Sequence, residues 1–66
     1  MNTIEIEQLK NNLALKVGIL EIKVNNGEIK DDTALKIIEL FKEYEKKGTT
    51  VEELKMLFDD VVLALS

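Results

Sequence analysis

Apolar residues recur along the chain at steps of three and four residues, in three separate stretches. This spacing places the apolar side chains of each stretch on one side of an α-helix. The pattern predicts helices over about residues 4–25, 32–47 and 51–65. Because the connections between them are short, consecutive helices should form a pair of helical hairpins, and the predicted fold is an all-α three-helix bundle.

Local signals support the two junctions between these helices. Gly27 and Gly48 follow the first and second helical patterns, and glycine readily takes the left-handed conformation that ends a helix. Asp31 lies where it can cap the next helix. Thr50 and Glu53 have the spacing of a capping box, which predicts the start of the third helix.

The first stretch also permits a different interpretation. Val17, Ile19, Ile22 and Val24 are β-branched, and Gly18 interrupts a helix at a cost of about 1 kcal/mol relative to alanine. A short β-hairpin around residues 17–30 would give an α+β fold. The hairpin would lack a good second strand, so the continuous helix is favoured and the α+β fold is kept as the alternative.

The first and third helices carry more apolar residues than a bundle needs. Exposed contiguous apolar patches often mark interaction sites, so oligomerisation through the outer faces of these two helices is expected. Asp59 and Asp60 are candidates for contact with basic groups of a partner. The predicted interface comprises Ile4, Leu15, Ile19, Ile22, Met56, Asp59, Asp60, Val62 and Leu63.

Size and composition restrict the chemistry. Residues 1–66 are expected to form a single small domain with a marginal core, which a second copy of the chain would enlarge. The chain contains no cysteine and no histidine, which removes the usual nucleophile–base pairs and the commonest metal ligands. Ile22 and Val24 stand where a calcium loop centred on Gly27 would need carboxylates. The expectation is therefore no enzyme, no cofactor, no metal and no small-molecule substrate.

The charge pattern argues against nucleic acid as a direct partner. The formal net charge is −4, and every basic residue is a lysine. A DNA-binding helix-turn-helix regulator, the least favoured function, would read bases with residues 51–65, whose only cation is Lys55. No apolar run approaches the ~20 residues of a membrane span, and there is no signal-peptide pattern, so the cytoplasm is the expected compartment.

The predicted function is a small acidic protein–protein interaction module, homodimeric, that acts as a regulator or inhibitor by binding another protein. The alternative is a structural or assembly subunit of a larger complex. Abundant lysine, asparagine and isoleucine without arginine suggests an AT-rich coding sequence, as in a low-GC bacterium or a phage, and a phage product would act in the host cytoplasm. The expected partners are a second copy of the chain and an unidentified protein.

Overall fold

The computed structural model describes residues 2–66, which form three helices: α1 (Thr3–Asn25), α2 (Asp32–Lys47) and α3 (Val51–Leu65). Each helix packs against both of the others. The described residues contain no strand. The prediction of an all-α three-helix bundle is therefore confirmed, with helix bounds close to the expected ones.

The alternative α+β fold is wrong. α1 continues without interruption through residues 17–24 and ends only at Asn25. Leu13, Val17 and Leu20 lie on one side of this helix and are buried in the core. A hairpin would place Val17 and Leu20 on opposite faces of a strand pair, so burial of this helical stripe outweighs the β-propensity of the valines and isoleucines.

The core lies along the axis of the bundle, and each helix contributes three fully or nearly fully buried side chains. They are Leu13, Val17 and Leu20 from α1, Ala34, Ile37 and Ile38 from α2, and Leu54, Leu57 and Val61 from α3. No polar or charged residue of the described part of the chain is buried. Such a core is held by apolar burial and packing alone.

A glycine-based turn ends α1. Gly27 has φ of 78°. The Gly27 N–H donates to the Val24 carbonyl at 3.1 Å, and the Glu28 N–H donates to the Lys23 carbonyl at 2.9 Å. These are the two hydrogen bonds of a Schellman motif, and the apolar residue that follows, Ile29, packs on the core. The Asp31 carboxylate then caps α2 by accepting from the Thr33 N–H at 3.0 Å.

The junction between α2 and α3 is equally well capped. Gly48, with φ of 82°, donates its N–H to the Tyr44 carbonyl at 2.9 Å. The Thr50 hydroxyl accepts from the Glu53 N–H at 3.2 Å, and the Glu53 carboxylate accepts from the Thr50 N–H at 3.4 Å. The predicted capping box is therefore present, and both helix boundaries are set by local hydrogen bonds.

Two contacts show how α1 is rotated within the bundle. Lys42 Nζ of α2 lies 3.4 Å from Glu21 Oε2, on one flank of α1. On the opposite flank, Lys16 Nζ lies 5.7 Å from the centroid of the Phe58 ring of α3. The side of α1 between these flanks, away from the core, faces outward.

Candidate interaction surface

The outward side of α1 carries three large apolar residues. Leu15, Ile19 and Ile22 have 68%, 42% and 61% of their surface exposed. Their spacing of four and three residues aligns them in a single stripe on the helix. The buried stripe of Leu13, Val17 and Leu20 occupies the other side of the same helix, so α1 is apolar on two opposite faces.

From Gln8 onward, the outward side of α1 carries no charged residue between a flank that holds Lys16 and Lys23 and a flank that holds Glu21. We define the outer face of α1 as Gln8, Asn11, Asn12, Leu15, Gly18, Ile19, Ile22, Asn25 and Asn26. By contrast, α2 exposes charged residues of both signs, such as Lys36, Glu39 and Glu43. In a chain with 33% charged residues, a helix face of this length without charge is distinctive.

Gly18 lies in the middle of the outer face and has no evident role in the fold. A Cβ atom at this position would meet no atom of the described residues within 4 Å. Its φ is not positive, unlike those of Gly27 and Gly48. Glycine inside a helix is destabilising by about 1 kcal/mol relative to alanine, and no contact within the described chain offsets this cost.

Ile4 is also exposed and lies on the same side of α1. Gln8, Asn11 and Asn12 separate it from the apolar stripe. It therefore stands apart from Leu15, Ile19 and Ile22, although the sequence placed all four in one interface.

Val62 lies on the flank of α3 that borders α1. Phe58, one turn earlier on α3, contacts Lys16 of α1. Because α1 and α3 are separated by one antiparallel helix, they run in the same direction. One turn beyond the Lys16–Phe58 contact, Val62 therefore lies at the level of Ile19, and both are partly exposed.

The other predicted residues of α3 point elsewhere. Met56 and Leu63 are directed roughly 100–120° away from Val62 around the helix, and they are 68% and 75% exposed. Leu63 and Asp60 line a groove of about 300 Å³ beside the start of α2, together with Asp31. Asp59 is exposed. Apart from Ile4, the predicted residues thus form two surfaces, one on α1 with Val62 and one on α3.

Two leucines of α2 depart from the pattern of apolar spacing. That spacing predicts that Leu35 and Leu40 widen the buried stripe of α2, yet they are 48% and 37% exposed. The core side of α2 is already filled by Ala34, Ile37 and Ile38. Because helix rotation within a bundle depends on the neighbouring helices, the periodicity of α2 alone could not reveal which edge of the stripe stays outside.

A second groove, of about 370 Å³, lies between α1, the end of α2 and the junction before α3. Its lining includes Lys10, Phe41, Tyr44 and Thr49. The Thr49 hydroxyl is buried and has no hydrogen-bond partner among the described residues. No group of metal-ligating side chains large enough to hold an ion occurs in residues 2–66.

Two pKa values are shifted beside this groove. The pKa of Glu53 is lowered, first by the Thr50 N–H and then by the Thr50 hydroxyl. The pKa of Tyr44 is raised, first by its burial and then by the negative charge of Glu53. The Tyr44 hydroxyl lies 3.4 Å from Glu53 Oε2. The shift of Glu53 therefore follows from the cap of α3, and that of Tyr44 follows from its burial and from the neighbouring carboxylate.

Comparisons with protein-family models, with curated proteins and with solved structures gave no match. None of the helices in residues 2–66 has the length and apolar character needed to cross a membrane.

Proposed function

We propose that the chain is a protein–protein interaction module that self-associates through the outer face of α1 and acts as a regulator or inhibitor by binding another protein. The observation that carries this proposal is the charge-free outer face of α1, with Leu15 and Ile22 both more than 60% exposed. Burying apolar surface contributes roughly 25 cal/mol per Å². Because the outer face of α1 carries no charge, two copies that meet there bring no like charges into direct contact, although each has a net charge of −4.

The size of the chain is compatible with such an interface. A standard interface buries about 800 Å² on each partner. The accessible surface of the structure is 4762 Å², so this corresponds to about one sixth of it. In the proposed dimer, the outer face of α1 and the neighbouring Val62 are the exposed surface that would supply this area.

Sedimentation over roughly 10–100 μM tests the self-association, because a dimer with micromolar affinity is populated in that range. Substituting Ile22→Lys places a charge in the outer face and should give a folded monomer. The matched control is Leu35→Lys, which adds the same charge at an exposed position of α2 and should leave the dimer intact. A wild-type chain that stays monomeric throughout this range would contradict the proposal.

Binding of another protein is assigned to the surface on α3. Met56 and Leu63 are its most exposed apolar residues, and Asp60 lies beside Leu63 in the groove. Capture experiments with the wild-type chain and with Leu63→Lys as baits test this assignment. A protein retained by the wild type and by Ile22→Lys, and lost with Leu63→Lys, is the expected result. Equal retention by all three baits would contradict it.

A second candidate function is that of an assembly subunit. It is favoured by the presence of two apolar surfaces on different sides of one small bundle, since contacts through both would link copies into larger assemblies. Association that continues beyond the dimer as concentration rises, and that stops at the dimer in Leu63→Lys, would favour this function over the first.

A further inference from the structure

We infer that two copies of this chain associate through an antiparallel, two-fold crossing of their α1 helices, centred between Gly18 and Ile19. This inference rests on the proposed self-association through the outer face of α1. It specifies the direction of the two helices, the register and the residue at the crossing point.

The residue types of the outer face are arranged nearly symmetrically about this centre. Leu15 and Ile22 stand at equal distances on either side of it. Beyond them, at equal distances again, are the pairs Asn11–Asn12 and Asn25–Asn26, all exposed. A two-fold axis perpendicular to α1 would therefore set Leu15 against Ile22 of the second copy, and asparagine against asparagine at both ends. A symmetric dimer requires this kind of self-complementary patch.

Asparagine suits the two ends of such an interface. Its side-chain amide both donates and accepts, so an asparagine can pair with an asparagine of the second copy. Polar pairs of this type fix the register of helix pairs, because other registers leave the amides against apolar groups. Antiparallel packing also brings the positive end of each helix near the negative end of the other.

Gly18 allows the backbones of the two α1 helices to approach closely at the centre of the crossing. Its position is open within the monomer, since a Cβ there would touch no described atom within 4 Å. Glycine at a helix crossing lets the backbones approach, because no side chain separates them. In the proposed register Gly18 lies at the same level along the crossing as Ile19 of the second copy. The missing side chain at Gly18 therefore leaves space beside the two isoleucines that meet there. This accounts for a glycine that the fold of one chain does not require.

Single cysteines can report the direction and register, because the chain has no cysteine of its own. At an antiparallel crossing, Ile19→Cys meets its own copy and should form a disulfide. Ile22→Cys alone should not, because the two copies would lie roughly 10 Å apart along the helix, beyond the about 7 Å Cα separation that a disulfide spans. A mixture of Leu15→Cys and Ile22→Cys chains should yield the mixed disulfide. Efficient crosslinking of Ile22→Cys alone, or no crosslink in the mixture, would overturn the inference.

Gly18→Ala gives an independent test through two effects of opposite sign. In the dimer, the added methyl groups at the crossing should weaken association by at least about fivefold, since overpacking a close contact costs 1–3 kcal/mol. In the monomeric Ile22→Lys background, the same change should raise the melting temperature by about 4–8 °C, as expected for replacing glycine within a helix. Gln8→Ala, at the edge of the same face, is the control for association. Unchanged or tighter association of Gly18→Ala would overturn the inference.

Different results would contradict the proposed self-association and the antiparallel crossing. A wild-type chain that is monomeric at every concentration tested would contradict both the proposed self-association and the crossing. If the wild type forms a stable dimer that Ile22→Lys dissociates, but Ile22→Cys alone crosslinks efficiently, the self-association stands. Only the antiparallel crossing is then contradicted. A monomer that captures a different protein through Leu15 and Ile22 would overturn the assignment of a second copy to this face.

Discussion

At the scale of single residues, Glu53 connects the start of α3 to the end of α2. Its carboxylate accepts hydrogen bonds from the Thr50 N–H, the Thr50 hydroxyl and the Tyr44 hydroxyl. The bond from the Thr50 N–H was expected from the spacing of Thr50 and Glu53, because a capping box is local in sequence. The contact with Tyr44 depends on how α2 and α3 pack, so the sequence could not reveal it.

The lowered pKa of Glu53 predicts a pH dependence of stability. The folded chain holds this carboxylate charged to lower pH than the unfolded chain does. Its contribution is therefore complete above the ordinary value of 4.5 and is lost as the pH falls through the lower pKa of the folded state. Glu53→Gln keeps a capping side chain that does not titrate. The drop in melting temperature between about pH 7 and pH 3 should be smaller in this variant than in the wild type, as measured by circular dichroism; equal drops would contradict the assignment.

At the scale of elements, the helix boundaries were predictable because each is specified by residues close in sequence. The expected range of about 4–25 for the first helix compares with Thr3–Asn25 in the structure, and Gly27 ends it through a motif readable from one glycine and the isoleucine after it. The rotation of the helices was less predictable. The exposure of Leu40, and the division of the predicted interface between Ile22 on one side and Leu63 on another, depend on packing between helices.

Gly27→Ala is expected to destabilise the fold. The space around Gly27 is open, so the cost arises from the backbone alone, whose φ of 78° is unfavourable for a residue with a Cβ atom. The free energy of unfolding should fall by about 1–2 kcal/mol, measured by urea denaturation. In the Ile22→Lys background, Gly18→Ala should instead raise the free energy of unfolding. The two substitutions differ because Gly27 has a left-handed backbone conformation and Gly18 lies within a helix.

At the scale of the whole molecule, the bundle is small and its core has only nine fully or nearly fully buried residues. Self-association through the outer face of α1 would add apolar burial that one copy lacks. The surplus of apolar residues on α1 was visible in the sequence. The absence of charge from the outer face of α1 was harder to recognise. It became clear once Glu21 and Lys16 were placed on the flanks that contact α2 and α3.

The melting temperature should therefore depend on protein concentration. Mass action favours the folded dimer as concentration rises. Thermal unfolding of the wild-type chain between about 5 and 500 μM should show a melting temperature that increases by several degrees. For Ile22→Lys the melting temperature should stay constant over the same range. A constant value for the wild type would indicate that one copy provides all of the stability.

The locally capped junctions also bear on how fast the chain folds. The Schellman turn at Gly27 and the capping box at Thr50 define where one helix stops and the next begins before distant parts of the chain meet. Short connections between antiparallel helices keep most contacts near in sequence, and chains of this kind fold within microseconds to milliseconds. The slow step is then the search that brings α3 against α1, the only helix pair not joined by a turn. In the monomeric Ile22→Lys background, stopped-flow or temperature-jump kinetics should show a single folding phase that slows when Leu57 or Val61 is truncated.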